Sequence, residues 1–148
     1  MIMVEITDIN DIDALMSWRR EVIECVFGIA PDSALIRANR DYYRDHMACG
    51  DHFAVEATVN GFRAGCGGVC FHSELPSPDN PLGLCGYIMN VYVRPEFRRQ
   101  GTGNAIVGAL VEAARRRGCG KIYLESTEKG RSLYLHAGFR AMNDMMKL

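Results

Sequence analysis

The amino-acid sequence predicts a single-domain α/β protein, in which helices flank a mixed, mostly antiparallel central sheet. Its 148 residues are a usual length for one domain, which would span residues 1–148. Three strand-like segments follow one another between residues 53 and 93. The third of them leads into an amphipathic helix and a further strand, and a crossover of this kind joins parallel strands. Antiparallel neighbours followed by one parallel crossover give a mixed sheet with helices on its faces.

The first fifty residues predict one strand and two helices. Val4 to Thr7 forms a short strand, and residues 8–27 carry apolar side chains at broadly helical spacing. Pro31-Asp32-Ser33 is a helix start signal, so a second helix is expected over residues 34–47. Cys49-Gly50-Asp51 would end that helix, because glycine favours the position just after a helix.

The next segment predicts a hairpin and then a third strand. Residues 53–59 alternate as a strand, and Asn60-Gly61 is a strong signal for a two-residue turn. Residues 62–71 return as the partner strand, whose several glycines indicate a bulge or the close approach of another backbone. Residues 73–83 contain three prolines and predict an exposed loop, after which residues 84–93 form the next strand.

The last third of the chain predicts alternating helices and strands. An amphipathic helix over residues 104–117 ends at three arginines and Gly118, which suit a helix C-terminus. Residues 121–126 are expected to form a strand and residues 130–136 a short helix. Residues 139–148 are expected to add a last strand or strands.

Composition excludes several classes of protein. The formal net charge is −1, so no global basic field predicts binding to nucleic acid or to a membrane surface. No apolar run approaches the roughly 20 residues that span a bilayer, and no secretory signal is evident, so a cytoplasmic protein is expected. The six cysteines lie mostly in apolar segments, which predicts buried, reduced thiols. No cysteine or histidine spacing predicts a metal site.

The most informative segment runs from Val91 to Gly103. An apolar strand is stopped by Pro95 and followed by a basic cluster, by Gly101 and Gly103, and by a helix. The first N–H groups of a helix have no intrahelical partner, and that end of the helix is positive. Glycines let a phosphate approach the backbone, and arginines add charge-assisted bonds. The order strand, basic glycine turn, helix therefore predicts a phosphate-bearing ligand near residues 98–104.

Two motifs resemble those of the GNAT superfamily of acyl-CoA-dependent N-acyltransferases. Arg98-x-x-Gly101-x-Gly103 is similar to the signature of its pyrophosphate loop, and Leu133-Tyr134-x-x-x-Gly138-Phe139 is similar to an element near its C-terminus. Both occur in the expected order, separated by one helix and one strand. The resemblance covers roughly residues 50–148, whereas the first fifty residues agree only in general pattern.

The resemblance implies an acetyl-CoA co-substrate and no metal. Backbone N–H groups of the loop would hold the pyrophosphate, and the pantetheine would pair with the preceding strand like an added strand. The residues expected at this site are Val91, Tyr92, Val93, Arg98, Arg99, Gln100, Gly101, Thr102, Gly103 and Asn104. The family places a tyrosine like Tyr134 near the sulfur, where a phenol that is protonated at neutral pH can act as general acid.

The sequence departs from the family at two places. Some members carry an acidic residue early in the strand before the glycine loop, where this chain has Tyr87. The residues left as candidates for the base are Glu56, His72, Glu74 and Asp79. A chain of water molecules, or an amine that is already partly neutral, is equally open. Many members also have Asn and Ala at the positions of Thr127 and Gly130. Ser126, Thr127 or Ser132 would have to replace the contact of that Asn.

The resemblance implies direct transfer of an acetyl group to a primary amine in a ternary complex, and the acceptor is left open as a small molecule or a peptide. A homodimer is also left open. One alternative is a dinucleotide site, with Glu125 at the distance of a ribose contact, but the third glycine of that motif is replaced by Ile106. A non-catalytic acyl-CoA sensor is the other alternative, which the presence of Tyr134 disfavours.

Overall fold

In the computed structural model, which describes residues 1–148, one five-stranded sheet lies between two layers of helices. The elements are β1 Val4–Asp8, α1 Ile12–Val22, α2 Ser33–Cys49, β2 His52–Val59, β3 Phe62–Ser73, β4 Leu84–Val93, α3 Thr102–Arg116, β5 Lys121–Leu124 and α4 Arg131–His136. A π-helical turn at Ile23–Phe27 extends α1, and a 3-10 turn at Pro95–Phe97 follows β4. No helix combines the length and the apolar character that crossing a membrane requires.

The sheet has the predicted mixed character. Its strand order is β1-β2-β3-β4-β5, and the first four strands pair antiparallel with their neighbours. β5 lies parallel to β4, to which it is joined through α3. Asn60 and Gly61 both have positive φ between β2 and β3, as the predicted two-residue turn requires. The fold class predicted from the sequence is therefore confirmed.

Each face of the sheet carries a core of its own. Helices α1 and α2 cover one face with Leu15, Trp18 and Tyr43, which pack with Cys66 and Tyr92 of the sheet. Helix α3 covers the other face, where its apolar side chains lie against β2, β3 and β4. The buried residues of this second core are Val55, Ala57, Val69, Ile88, Ile106 and Leu110.

The glycines of β3 allow α3 to approach the sheet closely. A Cβ atom on Gly67 would lie 2.6 Å from Cγ2 of Ile106, and one on Gly65 would lie 3.1 Å from Cδ1 of the same side chain. The pairing of β3 with β4 also shifts register between Cys66 and Gly68. The prediction of a bulge or a close approach in this strand is therefore confirmed on both counts.

The predicted strand over residues 139–148 is wrong. The backbone N–H of Phe139 donates to the carbonyl of Tyr134 at 2.9 Å, which closes the end of α4, and residues 140–148 form no strand. β5 remains the outer strand of the sheet. The methionines of this segment face solvent, with Met146 exposed at 95% and Met145 at 58%. Without a buried face to cover, the apolar residues of this segment gain nothing from pairing.

Several predicted boundaries also shift. The first helix begins at Ile12 because the carboxylate of Asp11 accepts a hydrogen bond of 2.9 Å from the N–H of Ala14. Helix α3 begins at Thr102, two residues before the predicted start at Asn104. β5 ends at Leu124, so Glu125 and Ser126 lie beyond the strand.

The prediction that the cysteines are buried holds for only part of the set. Cys66 and Cys85 are buried and Cys70 and Cys119 are half-buried, whereas Cys25 and Cys49 are exposed. Cys25 belongs to the π-helical turn and Cys49 ends α2, so both stand where a helix emerges from the core. Burial raises the pKa of the Cys66 thiol, which makes it a small apolar group rather than a nucleophile.

His52 is expected to make the protein less stable in weak acid. Its side chain is buried and shares a hydrogen bond of 2.8 Å with the hydroxyl of Tyr42, and burial lowers its pKa from 6.5 to about 4. Between pH 6.5 and pH 4 the unfolded chain binds a proton at His52, whereas the folded protein does not. The free energy of unfolding therefore falls as the pH drops from 6.5 towards 4. The loss reaches about 3 kcal/mol.

Chemical denaturation between pH 7 and pH 4 measures this loss. The free energy of unfolding should fall less steeply with decreasing pH in His52→Gln than in the parent. His136→Gln, which changes an exposed histidine of α4, should leave this pH dependence unchanged. The same pH dependence in the parent and in His52→Gln would show that His52 does not cause the loss of stability.

Candidate active site

A large cleft opens where β4 and β5 separate. The two strands pair only from Cys85 to Ile88 on β4, whereas β4 continues to Val93. Asn90 has a φ of 60°, a left-handed conformation that bends β4 just beyond its last pair with β5. The resulting cleft has a volume of about 1510 Å³ and runs from the glycine loop to the ends of α1 and α2.

The glycine loop and the start of α3 form one end of the cleft. Arg99 and Gly101 both have positive φ, of 62° and 82°, and Gly101 caps α3. No side chain caps this helix, so the N–H groups of residues 102–104 keep no partner within the chain. These groups and the positive end of the helix dipole favour an anion at this place.

Nearly all of the residues predicted at the acetyl-CoA site line this cleft. Gln100 does not; the predicted residues that do are Val91, Tyr92, Val93, Arg98, Arg99, Gly101, Thr102, Gly103 and Asn104. Arg98 also braces the loop, because its Nε donates a 2.9 Å hydrogen bond to the carbonyl of Val93. The hydroxyl of Thr102 donates to the carbonyl of Phe97 at 3.3 Å, so this buried side chain stabilises the loop from within.

Tyr134 lines the cleft from α4. Its ring packs edge-on against Phe139 at a centroid distance of 6.0 Å, and a Cβ on Gly130 would lie 3.3 Å from its Cε2. The hydroxyl makes no hydrogen bond within the chain, and burial raises its pKa. The phenol is therefore protonated at neutral pH and free to donate, as a general acid requires.

The far wall of the cleft comes from α1 and α2. Nε of Arg19 donates to Oδ1 of Asn39, and Nη1 of Arg19 donates to Oδ1 of Asn90, each at 2.9 Å. Phe27 and Tyr43 add aromatic surface to the same wall. Burial raises the pKa of Tyr43 to about 12, so this hydroxyl is neutral. The wall thus offers one guanidinium among apolar and uncharged groups.

The carboxylates considered as bases are engaged outside the cleft. Glu56 accepts from Nε1 of Trp18 at 2.9 Å and pairs with Arg63. Glu74 accepts from Lys121 at 3.1 Å and is 3.2 Å from Nε2 of His72, which also meets the hydroxyl of Tyr123. None of Glu56, His72, Glu74 and Asp79 lines the cleft.

Two acidic residues line the cleft, Glu125 and Glu128, and sequence reasoning proposed neither of them as a base. Glu125 lies just beyond the end of β5, beside Tyr87 of β4, whose pKa is raised by burial and then by the charge of Glu125. A usable signal was available, because residues at the carboxyl end of a strand in a parallel pair commonly line a ligand cleft.

A family model described as the acetyltransferase (GNAT) family matches residues 13–139. The chain belongs to the GNAT acetyltransferase family. This match extends into α1 and α2, well beyond the motifs that carried the resemblance. The prediction that the chain is a member of this family of acyltransferase enzymes is thus confirmed.

Solved GNAT structures share the whole fold of this chain. A predicted acetyltransferase from Clostridium acetobutylicum, solved with acetyl-CoA, superposes with a TM-score of 0.84 at 27% identity, covering 100% of this chain and 96% of that one. A GCN5-related N-acetyltransferase from Ralstonia eutropha JMP134 superposes with a TM-score of 0.74 at 25% identity, covering 100% and 98% of the two chains.

Curated GNAT relatives match over shorter stretches. A glucosamine 6-phosphate N-acetyltransferase from Trypanosoma brucei brucei is 41% identical over 63 residues, which is 43% of this chain and 43% of the relative. A thialysine N-epsilon-acetyltransferase from Sus scrofa is 29% identical, and the match covers 51% of this chain and 57% of the relative. The chain therefore spans about half the length of these relatives.

Thr127, which stands where many GNAT members have Asn, takes part in the turn before α4. Oγ1 of Thr127 accepts a 3.1 Å hydrogen bond from the N–H of Gly130, which closes the turn before α4. Thr127, Ser126 and Ser132 all line the cleft, but this bond gives Thr127 a role in the turn.

Two groups of side chains in this GNAT domain have a composition that suits metal binding, which their sequence spacing did not suggest. Donor atoms of His46, Cys49 and Asp51 lie within 4.8 Å of one another, as do those of a second group formed by His72, Glu74 and Cys85. Neither group belongs to the cleft. Hydrogen bonds within the chain account for both, since Nδ1 of His46 lies 2.7 Å from Asp51 and Glu74 pairs with Lys121.

Proposed function

We propose that this protein transfers the acetyl group of acetyl-CoA to a primary amine of a small molecule or peptide, by direct attack in a ternary complex. The observation that carries the proposal is the composition of a single cleft. It combines an anion-binding glycine loop, an open strand edge and a tyrosine hydroxyl without a partner in the chain.

The donor would occupy the half of the cleft next to the glycine loop. N–H groups from Arg99 to Asn104 would bind the pyrophosphate, supported by the charges of Arg98 and Arg99. Beyond Ile88 one edge of β4 has no strand partner, so the pantetheine amides can pair with that edge along Val91 to Val93. A backbone N–H of this edge would polarise the thioester carbonyl and stabilise the oxyanion.

The chemical step then needs only the amine and Tyr134. The nitrogen lone pair attacks the thioester carbon, the C–N bond forms, and the C–S bond breaks as the tetrahedral intermediate collapses. Tyr134 donates its proton to the leaving thiolate, and the proton lost from the amine passes to water and restores the tyrosine. Because burial raises the pKa of the phenol, Tyr134 keeps its proton until negative charge develops on the sulfur as the C–S bond breaks.

The names of two relatives favour a small-molecule acceptor over a peptide. Glucosamine 6-phosphate and thialysine, named as substrates of these relatives, are both small primary amines. The test is release of free CoA thiol from acetyl-CoA on addition of a library of primary amines. Saturable binding of acetyl-CoA without release of thiol from any amine would favour the acyl-CoA sensor instead.

We also expect that no single carboxylate is an indispensable base. Glu56→Gln, Glu74→Gln and Asp79→Asn should each keep most of the activity, because these side chains lie outside the cleft. The rate should rise with pH, and the midpoint should follow the pKa of the acceptor amine, since only the neutral amine has a lone pair to attack.

The measurement is kcat/KM against pH for two amines of different basicity. The same measurement on Glu125→Gln tests an acidic residue that does line the cleft. A midpoint shared by both amines and abolished in one carboxylate variant would identify that residue as a dedicated base and contradict the expectation.

A further inference from the structure

The guanidinium of Arg19 is held in place by uncharged partners. It is half-buried in the wall of the cleft, and its hydrogen bonds go to the side-chain oxygens of Asn39 and Asn90, each at 2.9 Å. Arg19 forms no salt bridge, and its guanidinium lies 5.8 Å from the ring centroid of Phe27. A guanidinium carries five N–H groups, so three of them remain without a hydrogen bond in the chain.

The other arginines of this region are neutralised. Arg94 donates from Nε and Nη2 to the two carboxylate oxygens of Glu21, at 2.8 and 2.9 Å. Arg63 pairs with Glu56. The guanidiniums of Arg63 and Arg94 each lie 4.8 Å from the ring centroid of Trp18. Unlike Arg94 and Arg63, Arg19 therefore keeps a positive charge that no carboxylate of the chain neutralises. A half-buried charge is costly without a counter-charge, which makes this position suited to an anion.

The position of Arg19 relates that charge to the acceptor rather than to the donor. Asn90, to which Arg19 donates, immediately precedes the Val91–Val93 segment where the thioester would lie. The phosphates of CoA would be bound at the other end of the cleft, by the N–H groups that start α3. An anion that reaches Arg19 must therefore belong to the second substrate.

We infer that the acceptor is a primary amine that also carries an anionic group, a carboxylate or a phosphate, which Arg19 binds. This inference rests on the proposed acetyl transfer. Asn39 and Asn90 fix the plane of the guanidinium and leave the remaining N–H groups to bind two oxygens of the anion, the geometry that arginine offers to carboxylates and phosphates. Binding the anion at Arg19 would direct the amine of the same molecule towards the thioester.

The experiment compares matched pairs of amines that differ in the anionic group. Glucosamine 6-phosphate is paired with glucosamine, O-phosphoethanolamine with ethanolamine, and lysine with 1,5-diaminopentane. The rate of CoA release gives kcat/KM for each. The anionic member of at least one pair should be preferred by about 10- to 100-fold, the range expected for a charge-assisted bond. Phosphates favoured over carboxylates, or the reverse, would identify which anion the site takes.

Variants of Arg19 separate binding of an anion from a structural role. Arg19→Gln should abolish the preference chiefly through KM, and Arg19→Lys should restore part of it. Arg20→Gln, which removes an adjacent exposed charge, should leave the preference intact. A lower melting temperature of Arg19→Gln with an unchanged preference would overturn the inference, because Arg19 would then only join α1 to α2 and β4.

The result with the whole library distinguishes this inference from the proposed function. Turnover of uncharged or cationic amines only would overturn the anionic acceptor and leave acetyl transfer standing. If no amine released CoA although acetyl-CoA bound normally, the proposed transfer would fail. Calorimetric titration of the CoA complex with the phosphate-bearing amines would then decide the anion site alone. Binding lost in Arg19→Gln would support it, and no binding, or binding unaffected by that variant, would overturn it.

Discussion

Gly101→Val is expected to weaken the binding of acetyl-CoA by about tenfold or more while the domain stays folded. Gly101 has a φ of 82° and caps α3, and a β-branched residue is strained in this conformation. No atom lies within 4 Å of the position of a Cβ on Gly101, so the effect arises from the backbone and not from a clash with the core. A loop that relaxes to negative φ would turn its N–H groups away from the phosphates.

The control for this variant is Gly108→Val, on an exposed position of the same helix. A Cβ on Gly108 also meets no atom within 4 Å, but its φ is not positive. Calorimetric titration with acetyl-CoA should give parent-like affinity for Gly108→Val. Parent-like affinity for Gly101→Val as well would show that the pyrophosphate binds elsewhere.

Tyr134→Phe is expected to lower kcat by about 100-fold with little change in the affinity for acetyl-CoA. The hydroxyl makes no bond in the folded chain that its removal would break, and the packing of the ring against Phe139 and Gly130 is unchanged by phenylalanine. The loss should therefore appear only as the thiolate departs, in the transition state.

Tyr123→Phe removes a hydroxyl that bonds to His72 outside the cleft, and its kcat should equal that of the parent. Pre-steady-state release of thiol would first establish that chemistry limits the rate. An unchanged kcat in Tyr134→Phe under that condition would remove Tyr134 from the mechanism and leave the thiolate to be protonated by water.

The parts of the site that could be predicted are those made by contiguous residues. The strand, the turn and the start of α3 follow one another within Val91–Asn104, so glycine and arginine chemistry alone indicates an anion site there. The opposite wall depends on tertiary contacts that no local pattern contains. Arg19 and Asn90, for example, are 71 residues apart, and each alone is an ordinary polar residue on a helix or strand.

The failures have the same origin. Glu74 and Asp79 lie close in sequence to β4, but their loop folds away from the cleft, where Glu74 pairs with Lys121. Residues 139–148 have an apolar content that allows a strand, yet whether a strand forms depends on a partner that sequence periodicity does not reveal. Glu125 enters the cleft only because β5 ends one residue before it.

Trp18 gives the protein an optical reporter of its own on α1, next in sequence to Arg19, which lines the cleft. It is the only tryptophan of the chain, and its indole is 1% exposed, lies near the guanidiniums of Arg63 and Arg94 and donates to Glu56. Arg19, which points into the cleft, follows it directly on α1. Any ligand that displaces α1 therefore changes the field and the dielectric around a single chromophore. Fluorescence of the unmodified chain should therefore follow, without a label, any ligand that displaces α1.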